Sequence, residues 1–317
     1  MRSDDFVSAF APASIGNVGV GFDMLGLALA GVGDRVAARR VDQPGVNIAE
    51  VRDADGEIHS MLSPEALENT ASIAAQSLWD SSGADGGLEL IVRKGVPLKS
   101  GMGSSAASAV AAVVAVNALL PQSLPVGDLL LHALEGEKFA SGGLHADNVA
   151  PSLFGGLVLC PASLLPNTVS LSVPSDCRSV LLYPDLQIAT AESRKALARD
   201  YGMQQWLEQQ GYLATFVAAC EHDDHELIKA SLKDVIIEPQ RASSVPCFAA
   251  VREAALAAGA YGCSLSGSGP SIFALGRAGD AANIAMAMEQ KCRGSGYECQ
   301  TWISGMDSSG AYVEDRA

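Results

Sequence analysis

Positive charge is what this chain is shortest of: 21 lysines and arginines stand against 36 aspartates and glutamates, a formal net charge of -15. Such a chain has no long-range attraction for a phosphodiester backbone or an anionic lipid surface, which excludes a general nucleic-acid or membrane-surface binder. Long apolar runs are missing as well. The longest, Ala106 to Leu120, is interrupted by Ser108 and Asn117 and stopped by Pro121, short of the roughly 20 residues a bilayer span needs. The seven cysteines form no Cys-x-x-Cys pair and are odd in number, so neither a disulfide framework nor a zinc site is expected. The opening MRSDDFVSAF lacks the apolar stretch of a secretory signal. Free thiols in a reducing cytoplasm are the plain reading. Aromatics are scarce at 5% while glycines number 32, so small residues must do much of the packing.

Familiar catalytic signatures are also absent. No G-x-x-x-x-G-K-[ST], H-R-D, D-F-G or G-x-S-x-G occurs, which removes the main signals of P-loop enzymes, protein kinases and α/β-hydrolases. His222 and His225, in EHDDHE, mimic metal-ligand spacing, but a run of acids and histidines between helices reads as a solvated face.

At 317 residues the chain can build two cores. Residues 6–14, 23–31, 34–41, 45–51 and 87–94 have strand character. A helix fits 64–81, with Ser63 as N-cap and Pro64 at the first helical position. Further helices are expected over 125–140, 145–156, 191–201, 204–221, 223–232, 246–258 and 280–293, with strands at 157–160, 179–184 and 297–303. The proline-rich piece 160–176 is the boundary candidate. Strands and helices do not strictly alternate, which favours α+β over a doubly wound sheet, with domains at 1–165 and 166–317.

The chemistry concentrates in VPLKSGMGSSAASAVAAVVAVNALL, residues 96–120. A strand ends near Lys94, a loop carries Gly95, Gly101 and Gly103, and Ser104 and Ser105 stand where a helix begins. Glycines let a ligand approach the backbone. A helix N-terminus offers unpaired N–H groups and the positive end of the dipole, which suits a phosphate. The serines are expected as caps, one of them also free to bind magnesium, and Arg93, Lys94 and Lys99 bring positive charge to the loop. These residues alone fit a capped core helix with a loose loop equally well. The segment also matches G-x-G-x-x-A, but Pro97 and a long loop replace the tight turn of a dinucleotide fold.

PLKSGMGSSAA (97–107) resembles the ATP-binding motif of the GHMP kinases, Pro-x-x-x-Gly-hydrophobic-Gly-Ser-Ser-Ala. APASIGNVGVGFDMLGLAL (11–29) is similar to that superfamily's N-terminal substrate motif and GCSLSGSGPSIFAL (262–275) to its C-terminal glycine-rich motif. Three motifs in the right order cover nearly the whole chain. Within the superfamily, N-x-G-x-G-F-D from Asn17, H-A-D-N at 145–148 and T-A-E-S-R at 190–194 look like the homoserine kinases. The resemblance implies an N-terminal ATP-binding domain like the second domain of ribosomal protein S5, a ferredoxin-like C-terminal domain, and a site between them. It implies ATP and Mg2+ as cofactors, and it leaves a homodimer open.

What the resemblance implies for residues follows motif by motif. Pro97, Lys99, Gly101, Met102, Gly103, Ser104, Ser105 and Ala106 would cradle the ATP phosphates, and Asn69 would contact the nucleotide. Ser105 and Glu137 would hold magnesium. Arg194 and Arg241 would take the substrate carboxylate, which suits a planar guanidinium fork. Asp23, with Asn17 beside it, would take the ammonium, and Asn148 the reacting hydroxyl. His145 and Asp147 would line the pocket, and Gly269 would let the backbone approach the substrate. Standing alone, Glu137, Arg194 and Arg241 read as solvated surface charges, Asn69 as a surface residue and His145 as a structural histidine. Where many GHMP kinases carry a basic side chain near the acceptor hydroxyl, this chain has Thr190, so the expectation is transfer without a strong side-chain base.

Overall fold

The computed structural model describes residues 6–188, 193–194, 197–198 and 200–314. The strands β1 (Val7–Gly16) and β2 (Leu25–Val41) are antiparallel neighbours in a sheet of order β11-β1-β2-β4-β3, completed by β3 (Gly45–Arg52), β4 (Gly87–Arg93) and β11 (Tyr312–Val313). The expected strands 23–31 and 34–41 are one strand: the pairing jumps from Pro12–Gly33 to Ala13–Leu29, so Ala30 to Val32 bulge out rather than end it. Helices α1 (Thr70–Ser82), α2 (Ser104–Asn117), α3 (Leu129–Ser141) and α4 (Ala146–Phe154) share one apolar core with this sheet. In α2 nearly every residue is buried, and the run of alanine, serine and valine lets neighbouring backbones come close on all sides.

The second sheet has the order β10-β7-β9-β8, all antiparallel, from β7 (Cys177–Pro184), β8 (Gly262–Leu265), β9 (Ile272–Arg277) and β10 (Cys299–Gly305). Helices α8 (Phe248–Ala257) and α9 (Ala281–Gly294) pack on it through Phe248, Val251, Ile284 and Met288. Between β7 and α8 run α5 (Met203–Glu221), α6 (His225–Ser231) and the single turn α7 (Glu238–Arg241). Strand, helix, two strands, helix, strand with that order is the ferredoxin-like unit. Ile15, Leu27 and Met102 from the first half meet Leu181, Phe216 and Phe273 from the second in a third buried cluster. The two halves therefore share a packed seam. A division at 165/166 would part β5 (Leu157–Leu159) from β6 (Val169–Leu171), which pair with each other and extend the first sheet.

Two helix starts differ from expectation. α1 begins at Thr70, not Pro64: the Asn69 side chain accepts from the Ala71 N–H at 3.0 Å and caps it, while Ala66–Glu68 forms a separate 3-10 turn. α2 is preceded by Gly103 in a left-handed conformation with no side-chain cap. Of the helix expected over 191–201, residues 191–192, 195–196 and 199 lie outside the described residues, and 193–194 are helical.

Candidate active site

A cavity of about 400 Å³ lies over the N-terminus of α2, and residues from both halves of the chain line it. Gly101 and Gly103 shape its floor, both at positive φ. A Cβ on Gly101 would stand 2.5 Å from the Ser266 carbonyl, and one on Gly103 2.3 Å from Ser14 Oγ, so only glycine fits either place. Neither serine caps the helix as expected. Ser104 donates to the Val96 carbonyl at 2.9 Å, and Ser105 donates to Glu137 Oε2 at 2.5 Å. The uncapped first turn of α2 thus faces the cavity with its N–H groups available to an anion.

Ser105 and Glu137 offer a hydroxyl and a carboxylate, the hard oxygen donors that magnesium takes, and both line the cavity. The residues fit that ion. Lys99, exposed and at positive φ, lines the cavity as expected. Lys94 lines it too, but its charge is already matched by Asp34; Arg93 donates to the Ala54 carbonyl at 2.9 Å and is absent from the lining. Pro97 is not part of the wall, and Met102 and Ala106 are fully buried, so these three serve the loop's shape.

Acceptor-side residues come from both halves. Asn17, Asp23, His145, Asp147, Asn148, Arg194 and Arg241 share the cavity with the phosphate loop. Arg194 and Asp23, assigned to opposite ends of a zwitterion, here grip each other: the two guanidinium Nη atoms donate to both carboxylate oxygens at 2.6–2.9 Å. Arg241, only 5% exposed, donates to the Gly267 carbonyl at 3.0 Å. The Nε of each arginine is buried without a partner among the described residues. Phe22, between Gly21 and Asp23 in the N-terminal motif, lies under both guanidinium groups at 5.4 and 5.2 Å from its ring centre. Pairing with Asp23 raises Arg194 above its usual pKa, whereas burial and then the Arg194 charge lower Arg241.

Asn17 holds this region together. At positive φ, it accepts from the Asp23 N–H at 3.0 Å, donates to the Gly267 carbonyl at 3.0 Å, and gives its own N–H to Asp147 Oδ2 at 3.1 Å. Asn148 accepts from Ser14 Oγ at 3.1 Å and donates to Asp147 Oδ1 at 3.3 Å. Burial, with the Asp23 charge adding, pushes Asp147 up to about 6. Burial also works against a charged His145, yet its contact with Glu137 at 3.7 Å and the Asp147 charge hold it above the usual histidine value. Burial, helped by the Asp23 charge, thus makes Asp147 more basic than an ordinary aspartate.

Gly269 is absent from the wall; its backbone approaches Gly101, whose Cβ would stand 2.7 Å from the Gly269 carbonyl. Gly267, two residues earlier, lines the cavity instead. Asn69 reaches it with its Oδ1 engaged as a helix cap. Thr190 lies outside the described residues. His225 gathers with Asp176 and Asp223, but Arg277 already pairs with Asp176 at 3.0 Å, and His222 is no part of the group.

The chain matches the GHMP kinases N terminal domain over residues 69–156 and the GHMP kinases C terminal model over 216–294. It is 44% identical to the homoserine kinase of Xanthomonas campestris over 304 residues, 96% of this chain and 92% of that one. With the homoserine kinase of Chloroherpeton thalassium it shares 37% identity over 97% and 99% of the two chains. The chain belongs to the homoserine kinase family of the GHMP kinases. A crystal structure of a family member from Cytophaga hutchinsonii superposes with a TM-score of 0.93 at 39% identity, covering 99% of each chain. Sequence reasoning missed Phe22, Gly267 and the apolar wall residues Leu62 and Phe139 in this family fold. Phe22 and Gly267 stood inside motifs already singled out; Leu62 and Phe139 carry no chemistry that marks them.

Proposed function

We propose that this chain transfers the γ-phosphate of ATP to the side-chain hydroxyl of L-homoserine, giving O-phospho-L-homoserine for threonine biosynthesis. One observation carries the reading: the cavity that holds the uncapped helix terminus and the Ser105–Glu137 oxygens also holds the Asp23 carboxylate beside two arginines. A zwitterionic alcohol needs both signs. Its carboxylate meets Arg241 and Arg194, whose free Nε donors await an acceptor, and its ammonium replaces Arg194 at Asp23.

Ser105 and Glu137 would hold magnesium, which when bound neutralises charge on the phosphates. The first turn of α2 and the loop from Gly101 orient the phosphates, and Asn148 orients the hydroxyl. Both Asp147 oxygens already accept hydrogen bonds, from Asn17 and from Asn148. The route we propose for the proton is to the phosphate or to solvent. A bell-shaped pH profile whose acidic limb vanishes in Asp147→Asn contradicts that route. We place the enzyme in the cytoplasm, since all seven cysteines are free; among the described residues no helix is long and apolar enough to cross a membrane.

A mevalonate-type alcohol would leave the Asp23 carboxylate without a role, and a non-catalytic nucleotide binder would have no use for Glu137 and Asn148 together. Purified protein with ATP, magnesium and a panel of homoserine, serine, threonine, mevalonate and galactose decides among these by ADP release. Turnover on homoserine supports the reading; turnover on mevalonate alone, or none on homoserine, refutes it.

A further inference from the structure

Below the phosphate loop lies a buried ion pair that touches no part of the acceptor site. Asp34, fully buried in β2, is hydrogen-bonded by Lys94 Nζ, by Ser108 Oγ at 2.6 Å, and by the backbone N–H groups of Gly95 and Val96 at 2.9 and 3.0 Å. Lys94, 6% exposed at the end of β4, also donates to the Ser104 carbonyl and to Ser108 Oγ, both at 2.7 Å. The carboxylate thus grips the first two residues of the loop, and the ammonium grips the first residue of α2. The loop between, 95 to 103, is held at both ends by one pair of charges.

We propose that Asp34 and Lys94 are positioning residues for the nucleotide. They fix the height and aim of the phosphate loop and of the first turn of α2, and they act through the backbone, not on the phosphates. An ion pair this deep is costly to form, and a packed hydrophobic pair of similar volume is often as stable. Its geometry here is specific: among the described residues, every side-chain hydrogen bond it makes beyond its own two members ends on the loop or on the first five residues of α2. Lys94 forms part of the cavity wall, so its displacement is felt there directly. This inference rests on the ATP reading above.

The test compares Asp34→Asn, Lys94→Met and the double variant for KM of ATP and of homoserine, the dissociation constant of ADP by calorimetry, and melting temperature. Each single change is expected to weaken ATP and ADP about tenfold, the size of one lost charge-assisted hydrogen bond. KM for homoserine stays within about twofold, and the double variant is no worse than the weaker single, as coupled residues require. Wild-type nucleotide binding in Asp34→Asn with a loss in Lys94→Met alone overturns the proposal, because the lysine is then a direct phosphate ligand. A lower melting temperature with nucleotide affinity unchanged also overturns it, leaving a merely structural pair. Should the singles not fold, Ser108→Ala and the charge-free double carry the test: folded proteins with wild-type ADP affinity refute it. Absence of homoserine turnover in the wild type sinks the functional reading, while ADP binding across the variants still decides this one; a wild type that binds no ADP overturns both.

Discussion

The two ends of the cavity are built differently. The phosphate end comes from one half of the chain and consists of backbone: glycines at positive φ, an uncapped helix terminus and a buried ion pair whose partners are all hydrogen-bonded. The acceptor end draws on both halves and consists mainly of charged side chains, two of which, Arg194 and Asp23, are paired with each other. A rigid cradle suits a triphosphate, whose charge is the same in every cycle. A self-paired acceptor site suits a zwitterion, because each end of the ligand can replace a partner that is already there.

If that contrast is right, Arg241→Ala has the largest effect on acceptor binding. A 5% exposed guanidinium facing a carboxylate is worth about 2–5 kcal/mol on truncation, a factor of about 30 to several thousand in KM for homoserine. Next comes Glu137→Gln, expected to lower kcat about 10²- to 10³-fold with KM for homoserine nearly unchanged, since it acts at the phosphate end. Gly101→Ala should lower stability by about 2–3 kcal/mol in thermal or denaturant unfolding, because the position combines positive φ with a carbonyl 2.5 Å from the added Cβ. Arg194→Ala is milder than its partner: its side chain is 40% exposed and screened by water, so about tenfold in KM is expected. Equal losses in the two arginine variants would erase the distinction drawn between them.

A pH dependence acts on stability alone. Asp147 has a folded pKa of about 6 against an ordinary 3.8, so the native state holds its proton more tightly than the unfolded chain does. The stability this gives is fully present below about 3.8, and it is lost as pH rises through about 6. Denaturant titrations should therefore show wild type losing stability relative to Asp147→Asn across that window, by less than about 3 kcal/mol. A difference that does not change with pH would mean that the carboxyl is solvated.

The same contrast governs what the sequence made legible. The phosphate end could be read because its chemistry is local: glycine spacing, a small-residue helix and two serines sit within 97–107. Even there, the serines were read as caps, because capping is their usual role at a helix start, whereas Ser104 is claimed by the Val96 carbonyl and Ser105 by Glu137. The α1 start was misplaced for a similar reason: Ser63 and Pro64 make a plausible cap, but Asn69 provides the real one. At the acceptor end, Asn17, Asp23, His145, Asp147, Asn148, Arg194 and Arg241, named from motifs, line one cavity, yet their mutual pairing was not foreseen. Arg194 meets Asp23 across 171 positions of chain, and Lys94 meets Asp34 across 60. Nothing in residue type or spacing marks which opposite charges the fold will bring together.

The most direct test of a two-signed acceptor site is to follow phosphorylation by 31P NMR with homoserine and two analogues that each lack one charge, 4-hydroxybutyrate without the ammonium and 3-aminopropanol without the carboxylate. A phosphoester signal with homoserine, at concentrations where neither analogue reacts, is the predicted result. Phosphorylation of 4-hydroxybutyrate as fast as homoserine would contradict it, because Asp23 would then contribute nothing to the choice of acceptor.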